Sequence, residues 1–333
     1  MYGQNVLMKN FLSFVVRLAL SGALLYWIFS KIDLEKTWAA LRSADPKYLF
    51  LSALFFMVTN FIILWRWYVF IKALKLDVSL RNTTRWFFVG LFCNLFLPTS
   101  IGGDVIKVIG LCRTTDDKTK VFATVVLDRL SGFAGIVILS IVALLIGHRI
   151  LDDRSIVISV AILGVLSLGV TAVLFSEQWY SLASRIFSFW PKLKDNLMQV
   201  HYDVVLMKGK LKDGVLAIGI SVFAQIILAL SFYMTAKGLN QDVAFVYFLI
   251  FSPLVCVVTT LPSIGGLGVR EVGWVYFLGK VGVPQGIAVS MSLINFLFMV
   301  IIGVLGGIIY VATLSARRVQ HPSPNAALKV SKS

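Results

Sequence analysis

The sequence predicts an all-α integral membrane protein, with about seven full transmembrane helices and two re-entrant broken helices arranged as inverted-topology repeats. Three observations carry that expectation. The 333 residues are 58% hydrophobic and only 14% charged, with a mean hydropathy of +0.87, which is foreign to soluble globular domains of this length. Uncharged runs such as 130–147, 214–236 and 281–316 are long enough to cross about 30 Å of hydrocarbon, and their continuous apolar character selects helices over barrel strands. The third observation is a broken motif that occurs twice, LPTSIGGDVIK from Leu97 and LPSIGGLGVRE from Leu261.

Full spans are expected at 11–30, 49–70, 121–146, 155–175, 215–236, 243–261 and 287–312. The first follows Lys9 as a secretory signal would, but its apolar run is too long and the SKIDLEK after it offers no small-residue cleavage site, so it reads as a retained helix. Trp65, Arg66 and Trp67 close the second span and read as an aromatic belt with a basic anchor. Two apolar pieces remain, 86–97 and 269–278. At ~1.5 Å per residue they reach about 18 and 15 Å, too little to cross. Each abuts one of the LP…SIGG breaks, interrupted at Pro98 and Pro262, so each is expected to enter the membrane, turn and leave by the face it entered. Irregular backbone at that depth is tolerated only where it is buried in protein or lines a polar cavity. Both breaks therefore predict a cavity.

A single polytopic domain is expected over 1–316, with repeat halves of roughly 11–147 and 155–312, and 317–333 reads as a disordered cytoplasmic tail. The stretch 177–213, with WYSLASRIFSFW and many lysines, reads as an amphipathic surface helix. Under these spans 20 Lys and Arg fall on the side of both termini and 8 on the other, counting Arg66 and Lys107 as loop charges of the first side. The positive-inside rule then places both termini in the cytoplasm of a cell (inner) membrane. On that topology the first break enters from the cytoplasmic face and the second from the outer face. Gly102 and Gly265 stand nearly half the chain apart, and the helices after them fall at a similar offset, as an inverted repeat requires.

The net charge of +15 sits mostly in loops, without the basic and aromatic interleaving of a nucleic-acid surface, so no nucleic acid is expected as a partner. Cys93, Cys112 and Cys256 lack metal or redox spacing and read as packing residues. His148, His201 and His321 lack metal-ligand spacing, and neither a metal nor a cofactor is expected. A nucleotide loop, a nucleophile elbow and a zinc signature are all missing, which argues against an ATP-driven pump or a hydrolase.

Charges inside apolar helices cost at least about 2.5–3.5 kcal/mol each on insertion scales, so they face a polar interior or a partner. Asp104 follows the first Gly-Gly, Asp128 and Arg129 interrupt VFATVVLDRLSGFAG, and Arg270 with Glu271 follows the second break. Neighbouring helical residues point about 100° apart, so Asp128 and Arg129 need separate partners. The economical arrangement sends Arg129 to Asp104 or to a phosphate, with Arg270 and Glu271 doing the same work at the second break. Asp128 and Glu271 fit a helix-stapling role equally well. Gly102, Gly103, Gly265, Gly266 and Gly268 let backbone N–H groups turn toward a ligand, and the helix from Val269 aims its positive end the same way.

The stretches NLFLPTSIGGDVIKVIGL, KVFATVVLDRLSG and TTLPSIGGLGVREVGWVYFLGKVGVPQGIAVSMSL resemble the transmembrane region of lysylphosphatidylglycerol synthases, the flippase-like part of the multiple peptide resistance factor. The resemblance covers roughly 18–312. It implies a lipid translocase fold moving an anionic or aminoacylated phospholipid, or a polyprenyl-linked lipid, between leaflets. The family pattern falls on Asn94, Pro98, Gly102, Gly103, Asp104, Arg129, Pro262, Gly265, Gly266, Gly268, Arg270 and Glu271. In that reading Arg129 and Arg270 bind phosphate, while Asp104 and Glu271 position them or read a cationic group. Two features depart from the family. The soluble synthase domain is absent from this chain, which speaks against transferase activity, and the helix after the second break reads SLINFLF, with no arginine to match Arg129. Two other readings use the same residues. One is a membrane-embedded lipid transferase or the partner subunit of a lipid-modifying enzyme, with a second copy of the chain as another partner, and the other is a secondary transporter for a small anion.

Overall fold

The computed structural model describes residues 34–96, 102–115, 117–147, 210–259 and 266–319, with positions 157, 158, 161, 162 and 165 between them. Every regular element among these residues is an α-helix, and the protein is an all-α membrane protein. In chain order the helices are α1 (Leu34–Arg42), α2 (Pro46–Ala73), α3 (Leu80–Phe96), α4 (Gly102–Leu111), α5 (Lys118–Gly147), α6 (Leu211–Gly238), α7 (Phe245–Val258), α8 (Val269–Gly279) and α9 (Gln285–Val319). Among the described residues four stretches are long and apolar enough to cross a bilayer: Pro46–Ala73, Lys118–Ile146, Leu211–Gly238 and Gln285–Val311. These correspond to the expected spans 49–70, 121–146, 215–236 and 287–312. The expected span 11–30, the amphipathic helix up to residue 209, most of 155–175 and the two break centres with Pro98, Pro262 and Gly265 lie outside the described residues.

Local chemistry sets the helix ends. Asp45 caps α2, its Oδ1 accepting from the Lys47 N–H at 2.8 Å, and Pro46 opens the helix at a position where no backbone donor is needed. Ser79 Oγ accepts from the Asn82 N–H at 3.3 Å, and that cap draws the polar LRNTTR segment into α3. The helix therefore runs to 17 residues, longer than the expected piece 86–97. The expected span 243–261 is corrected in the other direction. Its helix, α7, has 14 residues with Pro253 inside it, about 21 Å at ~1.5 Å per residue. An apolar run looks the same whether lipid or protein covers it. Here protein does, since Phe248, Ile250, Phe251 and Leu254 are buried in a core shared with Trp274 and Phe277 of α8.

The short helices pair into two antiparallel hairpins. In the first, Gly90 and Gly103 bring α3 and α4 into backbone contact, and farther along Trp86 covers Gly110. A Cβ on Gly103 would lie 2.3 Å from the Gly90 carbonyl oxygen, so only glycine fits there. In the second hairpin Thr259 lies against Gly266, Val255 against Gly273, and the Phe251 and Phe277 rings stack at 5.3 Å.

The element order repeats: α2, α3, α4 and α5 have 28, 17, 10 and 30 residues, and α6, α7, α8 and α9 have 28, 14, 11 and 35. Helix starts keep one offset along the chain for the first two pairs, Pro46 to Leu211 and Leu80 to Phe245, and a slightly longer one for the last two, Gly102 to Val269 and Lys118 to Gln285. The leading helices α2 and α6 are antiparallel, with Ser52 beside Ser231 and Arg66 beside Ser221, so the two units run in opposite directions. Packing is reciprocal. The first hairpin leans its α3 on α9, the last helix of the other unit, and the second leans its α7 on α5.

Polar ties join the units at both ends of the α2–α6 crossing. At one end Arg66 Nε donates to Asp128 Oδ1 at 2.7 Å and Nη1 to Ser221 Oγ at 3.0 Å, joining α2, α5 and α6. At the other, Ser52 Oγ donates to the Ser231 carbonyl at 2.7 Å while Ser231 Oγ donates to the Ser52 carbonyl at 2.9 Å. Asn295 of α9 joins this cluster, its Nδ2 donating to Thr235 Oγ1 at 3.1 Å. By the repeat offsets Arg66 corresponds to Ser231 and Asp128 to Asn295, so an ion pair in one unit answers a neutral contact in the other, with Ser231 Oγ 3.3 Å from Asn295 Oδ1.

The belt expected at Trp65, Arg66 and Trp67 is overturned for two of the three residues. Trp65 is 58% exposed, but Arg66 is 7% exposed and Trp67 is fully buried, its Nε1 donating to Thr124 Oγ1 at 3.2 Å. The three share a sequence run but not a helix face, and α2 continues past them to Ala73.

The packing makes two expectations for stability. A Cβ on Gly306 would stand 2.0 Å from the Phe88 carbonyl oxygen, so Gly306→Ala forces α3 and α9 apart and costs about 1–3 kcal/mol, read as a lower melting temperature in detergent. Arg66→Ala leaves the Asp128 carboxylate buried and costs about 3–5 kcal/mol, whereas Arg66→Ala with Asp128→Ala removes both charges and regains most of the loss. A double variant as unstable as the single one would show that the loss does not come from a stranded Asp128 carboxylate.

Candidate functional site

The first hairpin carries a cluster of charge. α4 begins at Gly102, directly after the break, and its first turn carries Asp104. Gly103 donates its backbone N–H to Asn94 Oδ1 of α3 at 2.7 Å, fixing the helix start against the hairpin's other arm. Asp104 is buried and held by two cations. Arg129 Nε of α5 donates to Asp104 Oδ2, and Lys107 Nζ, one turn along α4, lies 3.1 Å from Oδ1. The Lys107 ammonium also lies 5.3 Å from the Trp67 ring centroid and 4.8 Å from that of Phe87. Lys107 is buried within this box, which suits an ammonium whose stem and head need both apolar cover and π-faces. The Arg129 side chain is 34% exposed while that of Asp104 is 11% exposed. The cluster thus presents its guanidinium edge outward and keeps its carboxylate inside.

The second hairpin holds a tighter group. Gly268, at φ 84°, precedes α8 in a conformation that disfavours any side chain, and its N–H donates to Glu271 Oε2 at 2.6 Å. The other carboxylate oxygen accepts from Arg270 Nη2 at 2.7 Å and from Ser292 Oγ at 2.8 Å. Arg270 Nε also donates to Ser292 Oγ at 2.9 Å, and the guanidinium lies 4.9 Å from the Phe296 ring centroid. Glu271 is fully buried. Both of its oxygens are spent, and its charge is matched by one cation. Gly266, at φ 78°, turns the chain just before this group.

The structure thus brings Asn94, Gly102, Gly103, Asp104 and Arg129 together at one hairpin and Gly266, Gly268, Arg270 and Glu271 at the other, with no described contact between the two groups. Adjacent residues do pair at Arg270 and Glu271, because Glu271 bends back to cap the helix start while the long arginine wraps across the same turn. The helix geometry that separates Asp128 from Arg129 is satisfied by giving Asp128 to Arg66, a helix staple, and Arg129 to Asp104. Four residues of these groups escape a reading of the sequence: Lys107, Arg66, Ser292 and Phe296. Lys107 and Arg66 read as loop charges, yet both are buried in helices, which lowers the basic count of that side from 20 to 18 against 8. The signal for Lys107 is present in the sequence: it follows Asp104 at one-turn spacing on a segment otherwise apolar. Among the described residues no group of three or more His, Cys, Asp or Glu is placed to hold a metal ion.

A sequence profile of the lysylphosphatidylglycerol synthase transmembrane region matches residues 14–307. The UPF0104 membrane protein PH1989 of Pyrococcus horikoshii is 26% identical over 330 residues, covering 91% of this chain and 96% of that one. The profile takes in both hairpins and every charged residue of the two groups. The chain belongs to the lysylphosphatidylglycerol synthase transmembrane-region family.

Proposed function

We propose that this protein passes the headgroup of an anionic or aminoacylated phospholipid, or of a polyprenyl-linked lipid, from one leaflet to the other. The observation that carries the reading is the Asp104, Lys107 and Arg129 cluster, where two cations meet one buried carboxylate at the tip of a helical hairpin. Arg129 is the partly exposed member of this cluster, its guanidinium edge turned outward, and a lipid phosphate is the anion a bilayer supplies to such a group. Arginine suits this task because its fork binds two phosphate oxygens and it cannot shed its proton. Membership of the family agrees with a lipid as cargo.

In this reading both hairpins are re-entrant, each entering and leaving by one face, and the opposite directions of the two units put them on opposite leaflets. Both termini lie in the cytoplasm of an inner membrane, the side that keeps the larger basic count. The two arginines divide the work. Arg129, partly exposed and sharing its carboxylate with Lys107, meets the phosphate. Arg270, matched one for one with Glu271 and seated on Phe296, locks the second hairpin while its helix start faces the path.

Vesicles containing the purified protein and a fluorescent phosphatidylglycerol test this directly. Arg129→Ala should slow leaflet exchange by about tenfold to a hundredfold, the worth of one charged phosphate contact, while the melting temperature holds because Lys107 still neutralises Asp104. Exchange at the unaltered rate in a well-folded Arg129→Ala protein rules the mechanism out. Arg270→Ala behaves differently. It strands a fully buried carboxylate and should destabilise the protein by about 3–5 kcal/mol, visible as a melting loss before any transport measurement.

A further inference from the structure

A cavity of about 290 Å³ lies where α2, α5 and the first turns of α6 meet. Its wall is apolar, formed by Phe70, Leu127, Leu130, Ala134, Val215 and Ile218. Polar groups enter it at two places. Ser131 is buried, and its hydroxyl is already spent on the Asp128 carbonyl at 2.9 Å. Lys210, the residue before α6, is the one charged group in the lining, and among the described residues no carboxylate pairs with its ammonium.

The shape of the cavity narrows what it can take. Small-molecule sites run from roughly 300 to 1,000 Å³, so this one, at the lower bound, has room for a single slender chain. From Lys210 to Ile218 it follows α6 for about 12 Å at ~1.5 Å per residue. Gly214 stands in the middle of that stretch, and a Cβ added there would meet nothing within 4 Å. Glycine is among the poorest helix formers, and here its effect is to let the slot reach the helix backbone. Leu211 and Val215 flank it and are themselves 72% and 63% exposed, so the slot opens sideways toward whatever surrounds the helices.

We propose that this slot holds one acyl chain of an anionic phospholipid from the surrounding bilayer, with the lipid phosphate against the Lys210 ammonium. The lysine sits where the sequence reads KGKLKD at the start of an apolar helix, the level at which lipid phosphates lie. The site is separate from the Asp104 cluster. Leu127, Leu130, Ser131 and Ala134 form one stripe of α5, at helical spacing, while Arg129 leaves that helix toward α4.

The full chain in vesicles, photolabelled with a phosphatidylglycerol bearing a diazirine in one acyl chain, provides the test. Label should concentrate on positions 127–134 and 211–218. Lys210→Ala should lower it roughly fivefold, to the level given by a phosphatidylcholine with the same chain. Gly214→Leu fills the slot and should abolish the label, with Ala134→Leu filling it from α5 as a second, independent variant. Arg129→Ala should leave the label unchanged. Label spread evenly over the outer helix faces, label that survives in a filled-slot protein melting like the parent, equal labelling by phosphatidylcholine, or loss of label in Arg129→Ala would each overturn the assignment.

Discussion

Hydrocarbon offers a charge nothing to bond with, and that constraint decides where the ionised side chains among these helices go. Asp128 is met by Arg66 from another helix, Asp104 by Lys107 and Arg129, and Glu271 by Arg270, Ser292 and a backbone N–H. Ties between helices also draw them together, so meeting the electrical demand and closing the fold are one event. The backbone obeys the same rule. After each break a glycine at the start of the next helix has its N–H claimed, Gly103 by Asn94 in the first hairpin and Gly268 by Glu271 in the second.

The two hairpins meet that constraint in different ways. Around Glu271 charges cancel and the donors and acceptors are shared out within a small group of side chains. Around Asp104 two cations share one carboxylate, and Arg129 is the group that reaches the edge of the cluster. The proposal of lipid translocation rests on that exposed guanidinium edge, which buried Arg270 does not offer.

Much of this is legible in the sequence, and the gaps have physical causes. Hydropathy finds the four long helices because lipid demands about 20 apolar residues whatever the neighbours are. It misjudges α7, because a core helix covered by Trp274 and Phe277 is as apolar as a lipid-facing one. The charges flanking the twin glycine breaks send Arg129 to Asp104 or to a phosphate, since an intramembrane charge needs a partner, and the structure places it on Asp104. Arg66 and Lys107 escape the same logic because each stands near an expected span end, where a basic residue ordinarily anchors to headgroups. Only three-dimensional packing shows that one is enclosed by α5 and α6 and the other by the rings of Trp67 and Phe87.

The offset that carries Gly102 onto Val269 makes Glu271 the counterpart of Asp104, and Phe296 the counterpart of Arg129. Yet Glu271 has its guanidinium, supplied by Arg270 and resting on that very ring. A column-by-column comparison of the halves would therefore score the cation as deleted in one of them, although space has kept it and only its point of attachment to the chain has migrated. Kinship between such halves is better traced by where functional groups end up than by which letters line up.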